Sequence, residues 1–309
     1  MIDRTRPDEP PPLGLLVAAF AAVYIIWGST YLAIRFAIET LPPFLMAGVR
    51  FLIAGGALYL WVRWRGTGRP ERRHWLGATV VGGLLLLGGN GGVVWAEQTV
   101  PSGLAALMVA TVPLWMVLID WWRPGGTQPA RIVLLGVVIG FVGMLLLVDL
   151  EETQSGAVHG MGALVLILAS LSWATGSLYS RRANLPRSPF LATAMEMIMG
   201  GALLTAAGLV RGELGSFDPA QVSGRSVAAV IYLIVFGSII AFTAYIWLLG
   251  VVPPAKAGTY AYVNPVVAVA LGWALAGEAV TWRTVIAAAI IILAVVLITS
   301  HRSRPLPDN

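Results

Sequence analysis

Residues 260–268 read YAYVNPVVA, in a segment otherwise built from alanine, valine, leucine and glycine. Asn264 precedes a proline, and Pro265 lacks the N–H that would bond the carbonyl four residues earlier in a helix. Tyr260 and Asn264 are four residues apart and share one helical face. The pattern predicts a bent helix whose Tyr260–Asn264 face either lines a substrate cavity or bonds a neighbouring helix. Pro265 is then a hinge, with Pro113 in VATVPL as its match.

Two charged residues, Arg50 and Glu196, stand inside apolar segments. Such charges cost several kcal/mol in a bilayer unless they are paired or hydrated. Their positions within the two segments place them about 10 Å apart along the membrane normal, so a direct salt bridge is not expected. Arg50 could hold a substrate carboxylate, since its planar fork matches that group. Glu196 could bind a cationic amine or a coupling proton. The alternative for both is a structural anchor to backbone carbonyls or polar side chains.

Tryptophan usually lies at the membrane interface, whereas Trp27 and Trp173 fall near the middle of their segments, with Ser29 and Ser177 nearby. The two rings either stack on an aromatic or amphipathic substrate or pack within the protein. Asn90, in LGGNGG, is a polar residue among glycines that permit close helix approach. We predict these five residues as further cavity candidates.

The composition indicates where these residues lie. Of the 309 residues, 58% are hydrophobic and 11% are charged, and the mean hydropathy is +0.81. Soluble domains carry about 25% charged residues, whereas a run of about 20 apolar residues spans a bilayer. The sequence therefore predicts an all-α polytopic membrane protein, in which buried polar side chains need a partner or a water-filled cavity.

Ten apolar segments predict ten transmembrane helices. Their approximate bounds are 13–35, 44–62, 76–97, 102–122, 131–149, 161–180, 189–210, 226–249, 255–276 and 282–300. If the N-terminus is cytoplasmic, fifteen basic residues fall on the cytoplasmic side and four on the other. This bias predicts cytoplasmic tails at 1–12 and 301–309. The net charge of +5 then reflects topology, not a nucleic-acid partner.

The two halves of the chain resemble each other. An offset of 146 residues aligns Trp27 with Trp173 and Gly55 with Gly201, and an offset of 152 aligns other positions. The pairs at 152 are Trp95 with Trp247, Pro101 with Pro253, Pro113 with Pro265 and Arg131 with Arg283. Five helices per repeat reverse the direction of the second copy. We therefore predict inverted repeats at 13–149 and 161–300, joined by a periplasmic connection at 150–160. This arrangement is common in secondary transporters, which bind substrate between the repeats.

Several longer motifs resemble the EamA family of the drug/metabolite transporter (DMT) superfamily, in particular its YedA-type bacterial inner-membrane transporters. They are YIIWGSTY (24–31), MAGVRFLIAG (46–55), VPSGLAAL (100–107), VATVPL (109–114), SWATGSLY (172–179), FGSIIA (236–241) and YAYVNPVVAV (260–269). The resemblance implies ten helices in a 5+5 inverted repeat and an exporter of small metabolites, with amino acids among the family substrates. It transfers no binding residues. It leaves Glu278 in GWALAGEAVTW without a counterpart in DWWRPGGTQPAR.

Enzyme functions are disfavoured. The chain has no cysteine, its three histidines stand in loops or at the terminus, and its single lysine is not in a Walker sequence. We predict no cofactor, no metal site and no ATP-driven pump. Two functions stay open: export of amphipathic metabolites or amino acids by alternating access, and a membrane receptor or scaffold that binds a ligand without moving it. The expected partners are a small-molecule substrate, the lipid bilayer and, through Glu196, protons.

Overall fold

The apolar segments form helices because a chain in lipid must satisfy its backbone N–H and C=O groups within the segment. The computed structural model describes residues 12–122, 128–146, 148–149, 158–215, 217–252 and 257–300. Nearly all of the predicted tails, and most of the predicted 150–160 connection, lie outside these ranges. Within the ranges the fold is helical, apart from one short parallel pairing of β1 (Val148–Asp149) with β2 (Val158–His159) and a 3₁₀ turn at Pro219–Gln221.

The helices of the described chain follow in sequence order. They are α1 (Leu13–Ala37), α2 (Pro43–Trp64), α3 (Arg72–Ala96), α4 (Ser102–Trp122), α5 (Arg131–Leu145), α6 (Gly160–Ser180), α7 (Pro189–Val210), α8 (Gly224–Val251), α9 (Tyr260–Ala276) and α10 (Trp282–Ser300). Seven of them, α1–α4 and α6–α8, are long and apolar enough to cross a membrane. The other three are apolar but shorter. The all-helical membrane class is thus confirmed, and ten crossings stay a prediction.

Local sequence signals set several helix ends. Ser188 and Ser223 precede α7 and α8, and their hydroxyls accept hydrogen bonds from the N–H groups of Leu191 and Ser226 at 3.4 and 3.0 Å. Such caps satisfy donors that have no partner within the helix. Gly277 ends α9 with a φ of 65°, a left-handed conformation that glycine adopts without strain.

Three boundaries differ from the sequence prediction by four or five residues, and the first is the start of α3, which lies at Arg72 and not at 76. Helix α5 ends at Leu145, because the chain beyond it enters the β1 pairing. Helix α9 begins at Tyr260, after a turn in which the N–H of Ala261 bonds the carbonyl of Gly258. Asn264 is therefore in the second turn of α9. Its backbone packs beside Gly28, in the middle of α1.

Helices α2 and α7 cross with their backbones in contact. A Cβ atom on Gly55 would lie 2.9 Å from the carbonyl oxygen of Ala194. One on Gly201 would lie 2.9 Å from the carbonyl oxygen of Gly48. The pairs run in opposite senses, so the two helices are antiparallel, and the offset of 146 residues maps one contact onto the other. Small residues permit this close approach in membrane helices.

The remaining packing connects the halves of the chain. Helix α5 packs antiparallel on α10, with Gly136 against Ala294 and Gly143 against Ile291. Helix α1 packs against α8 and α9, whereas α6 packs against α3 and α4. The first helix of each predicted repeat therefore packs against helices of the other repeat.

Three helices contain π-helical segments that the sequence analysis did not predict: Ala22–Ile26 in α1, Gly83–Asn90 in α3 and Leu233–Phe242 in α8. Those of α3 and α8 end at residues 152 apart, which is the second repeat offset. Such segments are often found at functional sites. Each of these three lies beside or within the cavity described below.

The two predicted hinges differ. Helix α4 is interrupted at Ala110 and Thr111, just before Pro113, and the Thr111 hydroxyl donates to the carbonyl of Met108 at 2.6 Å. Helix α9 continues through Pro265. The interruption is thus confined to α4, and hinge motion at either proline stays a prediction.

The contact between α2 and α7 leads to a stability prediction. Gly55→Ala should destabilise the protein by about 1–3 kcal/mol, because the added Cβ meets backbone atoms that cannot move aside. The neighbouring Gly56→Ala is the matched control, since a Cβ there meets nothing within 4 Å. The measurement is the temperature at which half of the detergent-purified protein loses its monodisperse size-exclusion peak. A Gly55→Ala midpoint at or above that of the unmodified protein would contradict the contact.

Candidate substrate cavity

One cavity lies where the two halves of the chain meet, among α1, α2, α3, α4, α6, α8 and α9. The space open to the centre of a water molecule is about 70 Å³. An ordered water needs about 10–15 Å³ of such space, so several waters or a small organic group fit. Six of the predicted candidates line it: Trp27, Arg50, Asn90, Trp173, Tyr260 and Asn264.

Aromatic side chains form one wall of this cavity. The Trp27 ring lies 5.5 Å from Trp173 and 5.5 Å from Tyr260, both edge to face, and 4.9 Å from Tyr245. The indole N–H of Trp27 donates to the carbonyl of Gly237 at 3.2 Å. The two tryptophans therefore pack on each other and also face the cavity. Ring faces at such a wall favour apolar and aromatic ligands.

Arg50 supplies the positive charge of the cavity. Only 4% of the residue is exposed, and its Nη2 donates to Oδ1 of Asn90 at 3.1 Å. Within the described ranges, its Nε and Nη1 atoms have no hydrogen-bond partner. The guanidinium carbon lies 4.2 Å from the centre of the Phe51 ring. Asn90 thus orients Arg50 and leaves most of its donors unused.

Asn264 joins α9 to α1. In the amide orientation that satisfies its hydrogen bonds, the side-chain nitrogen donates to the carbonyls of Tyr24 at 3.0 Å and Val23 at 3.3 Å. Both carbonyls belong to the π-helical segment of α1. Asn264 also lines the cavity, so the two alternatives left open by the sequence coexist in one residue.

Three predicted candidates are not among the lining residues. The Ser29 hydroxyl lies 2.6 Å from that of Tyr232, and the Ser177 hydroxyl lies 2.8 Å from that of Tyr245. Both serines are therefore committed to neighbouring tyrosines. Glu196 is fully buried in α7, and neither carboxylate oxygen has a hydrogen-bond partner among the residues that the structure describes. A role for these residues in binding stays a prediction.

Several lining residues were not predicted from the sequence. Thr30, Tyr31 and Ile34 follow Trp27 at spacings of three, four and seven residues and share its cavity-facing side. That helical spacing could have identified them. Phe242 also lines the cavity and corresponds to Asn90 at the 152 offset. Its apolar type gave no signal that it differs from an ordinary packing residue.

A second cavity in the structure is a weaker candidate for the binding site. This cavity, of about 660 Å³, lies between α9 and α10. Its lining is mostly aliphatic, and Thr284 contributes the only hydroxyl among the described lining residues. Binding sites usually combine apolar walls with a few convergent polar groups, which the first cavity has and the second lacks. Among the described residues, no group of three or more His, Asp or Glu could hold a metal ion.

Glu278 fixes one end of the bundle near the cavity. Its carboxylate accepts hydrogen bonds from the backbone N–H and hydroxyl of Ser102, both at 2.8 Å, and from the N–H of Gly103 at 3.0 Å. It also lies 3.7 Å from Nε of Arg35. A carboxylate at a helix N-terminus satisfies unpaired donors and the helix dipole. Glu278 thus connects the α9–α10 loop to α4 and α1, which explains why it needs no counterpart in the first half.

Glu213 makes a similar connection. Its carboxylate, in the turn after α7, accepts from the backbone N–H groups of Phe44 at 3.2 Å and Leu45 at 2.9 Å, at the start of α2. Two carboxylates from the second half of the chain therefore cap helices of the first half.

Removing the charge of Glu278 should loosen this end of the cavity. The reporter is a thiol introduced by Ile34→Cys, at a buried wall position in a chain without native cysteine. A cap of this kind contributes about 0.5–2 kcal/mol, so adding Glu278→Gln should raise the rate at which a hydrophilic maleimide labels this thiol about two- to thirtyfold. Glu39→Gln is the control, because Glu39 is exposed and pairs with Arg225 at 3.5 Å. Equal labelling rates in the two variants would contradict the role of Glu278.

Known proteins are similar to this chain in sequence and in fold. The model of the EamA-like transporter family matches residues 13–149 and, separately, residues 160–300. The chain is 44% identical over 287 residues to the uncharacterized inner membrane transporter YedA of Escherichia coli K12, across 92% of this chain and 90% of YedA. It is 23% identical to the uncharacterized transporter YoaV of Bacillus subtilis, across 92% of this chain and 96% of YoaV.

A crystal structure of a protein with 22% sequence identity has the same fold. It aligns with a TM-score of 0.67 over 93% of this chain and 98% of that one.

Proposed function

Because the chain belongs to the EamA-like transporter family, as its motifs predicted, we propose that it is a secondary transporter that exports small metabolites from bacteria by alternating access. Amino acids and amphipathic drug-like compounds are the candidate substrates. The observation that supports this function is the cavity between the two halves, which combines aromatic walls with the buried Arg50. A buried cation facing a cavity in a membrane protein usually marks a substrate or ion pathway.

The proposed architecture has ten membrane crossings in two inverted repeats, 13–149 and 161–300. Its tails at 1–12 and 301–309 lie in the cytoplasm, and the 150–160 connection in the periplasm. Three findings support the division into two repeats. The α2–α7 contact repeats at an offset of 146 residues, the α3 and α8 π-segments end 152 residues apart, and the family model matches the chain twice.

The same geometry suggests how access alternates. Helices α1 and α6 each contribute a tryptophan to the cavity and pack against the opposite repeat. A tilt of one repeat against the other would separate these walls toward one membrane face and close them toward the other. Pro113 and Pro265 are the proposed hinges, since neither can donate a backbone hydrogen bond that would resist bending.

Transport is distinguished from ligand binding by counterflow. Protein reconstituted into vesicles loaded with an unlabelled amino acid mixture should accumulate at least one radiolabelled amino acid above its external concentration for a limited time. Vesicles without protein are the control. Binding of a compound to the purified protein together with no counterflow of that compound would instead favour a receptor or scaffold.

Asn264→Ala should lower the flux of a transported compound about fivefold or more, because the α1 carbonyls lose a donor whose loss costs about 1–3 kcal/mol. Expression should not change. Gly56→Ala, which faces open space, is the control. A flux in Asn264→Ala equal to that of the control would remove this residue from the site.

Glu196→Gln tests proton coupling. We expect flux in the unmodified protein to increase with an imposed pH gradient, and this dependence to disappear when the one buried carboxylate of α7 can no longer exchange a proton. The measurement is initial flux at two internal pH values with the external pH constant. A gradient response that persists in Glu196→Gln would exclude this residue as the proton carrier.

A further inference from the structure

Arg50 is a buried cation whose charge is not balanced by contact. Its Nε and Nη1 donors have no partner in the part of the chain that the structure describes, although more than nine-tenths of the residue is buried and it lines the cavity. The hydrogen bond that its Nη2 makes goes to the amide oxygen of Asn90, which is neutral. An unpaired donor costs about 1–3 kcal/mol when buried, and more when it is charged. The unbound site therefore contains donors that a ligand could satisfy.

Among the described residues that line the cavity there is no acidic side chain. Glu97, at the end of α3 two turns beyond Asn90, is a nearby buried acid, but neither of its oxygens has a hydrogen-bond partner in the described chain. It therefore does not pair with Arg50 by contact. The cavity thus offers one set of cationic donors and no carboxylate that would bind an ammonium group.

The rest of the wall defines the other part of the ligand. Trp27, Trp173, Tyr260 and Phe242 present ring surfaces to the same cavity. Aromatic walls accept a flat apolar group through edge-to-face and stacked contacts. A ligand that satisfies both regions has an anionic end and an apolar body.

We propose that Arg50, oriented by Asn90, holds the carboxylate of the transported compound while the aromatic wall holds its apolar body. The site then selects organic monocarboxylates, and an amino group on the compound is not required. A carboxylate fits one guanidinium because both groups are planar and the guanidinium can donate two parallel hydrogen bonds to the two carboxylate oxygens. This proposal rests on the proposed transport function, because it takes the bound compound to be the transported one. Binding measurements test the carboxylate site without assuming transport.

Three probes of one shape test the charge requirement. Phenylacetate, its neutral isostere phenylacetamide and the cation phenethylamine are titrated into purified protein in nanodiscs by calorimetry. Phenylacetate should bind about tenfold tighter or more than either other probe, which is the effect of a charged hydrogen bond. Equal binding of the three, preference for the amine, or no binding of phenylacetate would overturn the proposal.

Variants of Arg50 test whether this residue causes the preference for phenylacetate. Arg50→Gln should remove the preference for phenylacetate, and Arg50→Lys should restore part of it, since lysine keeps the charge but lacks the planar fork. Arg65→Gln is the control, because Arg65 is exposed just beyond the same helix. A full preference in Arg50→Gln would overturn the assignment. If Arg50→Gln fails to give a monodisperse protein, the three-probe comparison on the unmodified chain decides.

Counterflow separates this proposal from the function on which it builds. Selective phenylacetate binding without counterflow of any compound would leave the carboxylate site and contradict transport. Counterflow of other compounds with no preference for the carboxylate probe would leave transport and contradict the site.

Discussion

A polar group inside a bilayer must find its partner within the protein, and that constraint determines how this chain is assembled. Asn264 donates to two carbonyls of α1, Asn90 accepts from Arg50, and Glu278 accepts from the first N–H groups of α4. Each of these bonds joins a different pair of elements. The polar residues that look costly in the sequence are therefore the ones that position the helices around the cavity.

Several buried polar groups of the described residues have no hydrogen-bond partner, Glu97 included, and two of them belong to charged residues that the sequence singled out. Arg50 keeps unpaired donors beside the cavity, and Glu196 keeps two unpaired oxygens inside α7. Only 4% of Arg50 is exposed, and Glu196 is fully buried. Buried groups without partners are costly, so a protein retains them where a ligand or a proton completes them. This is the physical basis for treating both residues as functional candidates.

Much of the fold and part of the site follow from the sequence. Apolar segment length identified the helices, and the 146 offset anticipated the Gly55–Gly201 relation that the α2–α7 contact displays. Residue type identified Arg50, Asn90 and Asn264, because polar residues are conspicuous in apolar helices. The π-segments left no such signal, since their residues are ordinary apolar ones. The partners of Glu278 depend on where α4 begins relative to α9, which only the folded chain determines.

The central claim is that one cavity between the two halves opens to each membrane face in turn. The most direct measurement introduces a single cysteine at Val109, a lining residue of α4, in a chain that has no other. A membrane-impermeant thiol reagent is applied to right-side-out and to inside-out vesicles. The account predicts labelling from both faces, each slowed by a bound substrate. Labelling from one face alone under all conditions, or from neither, would contradict it.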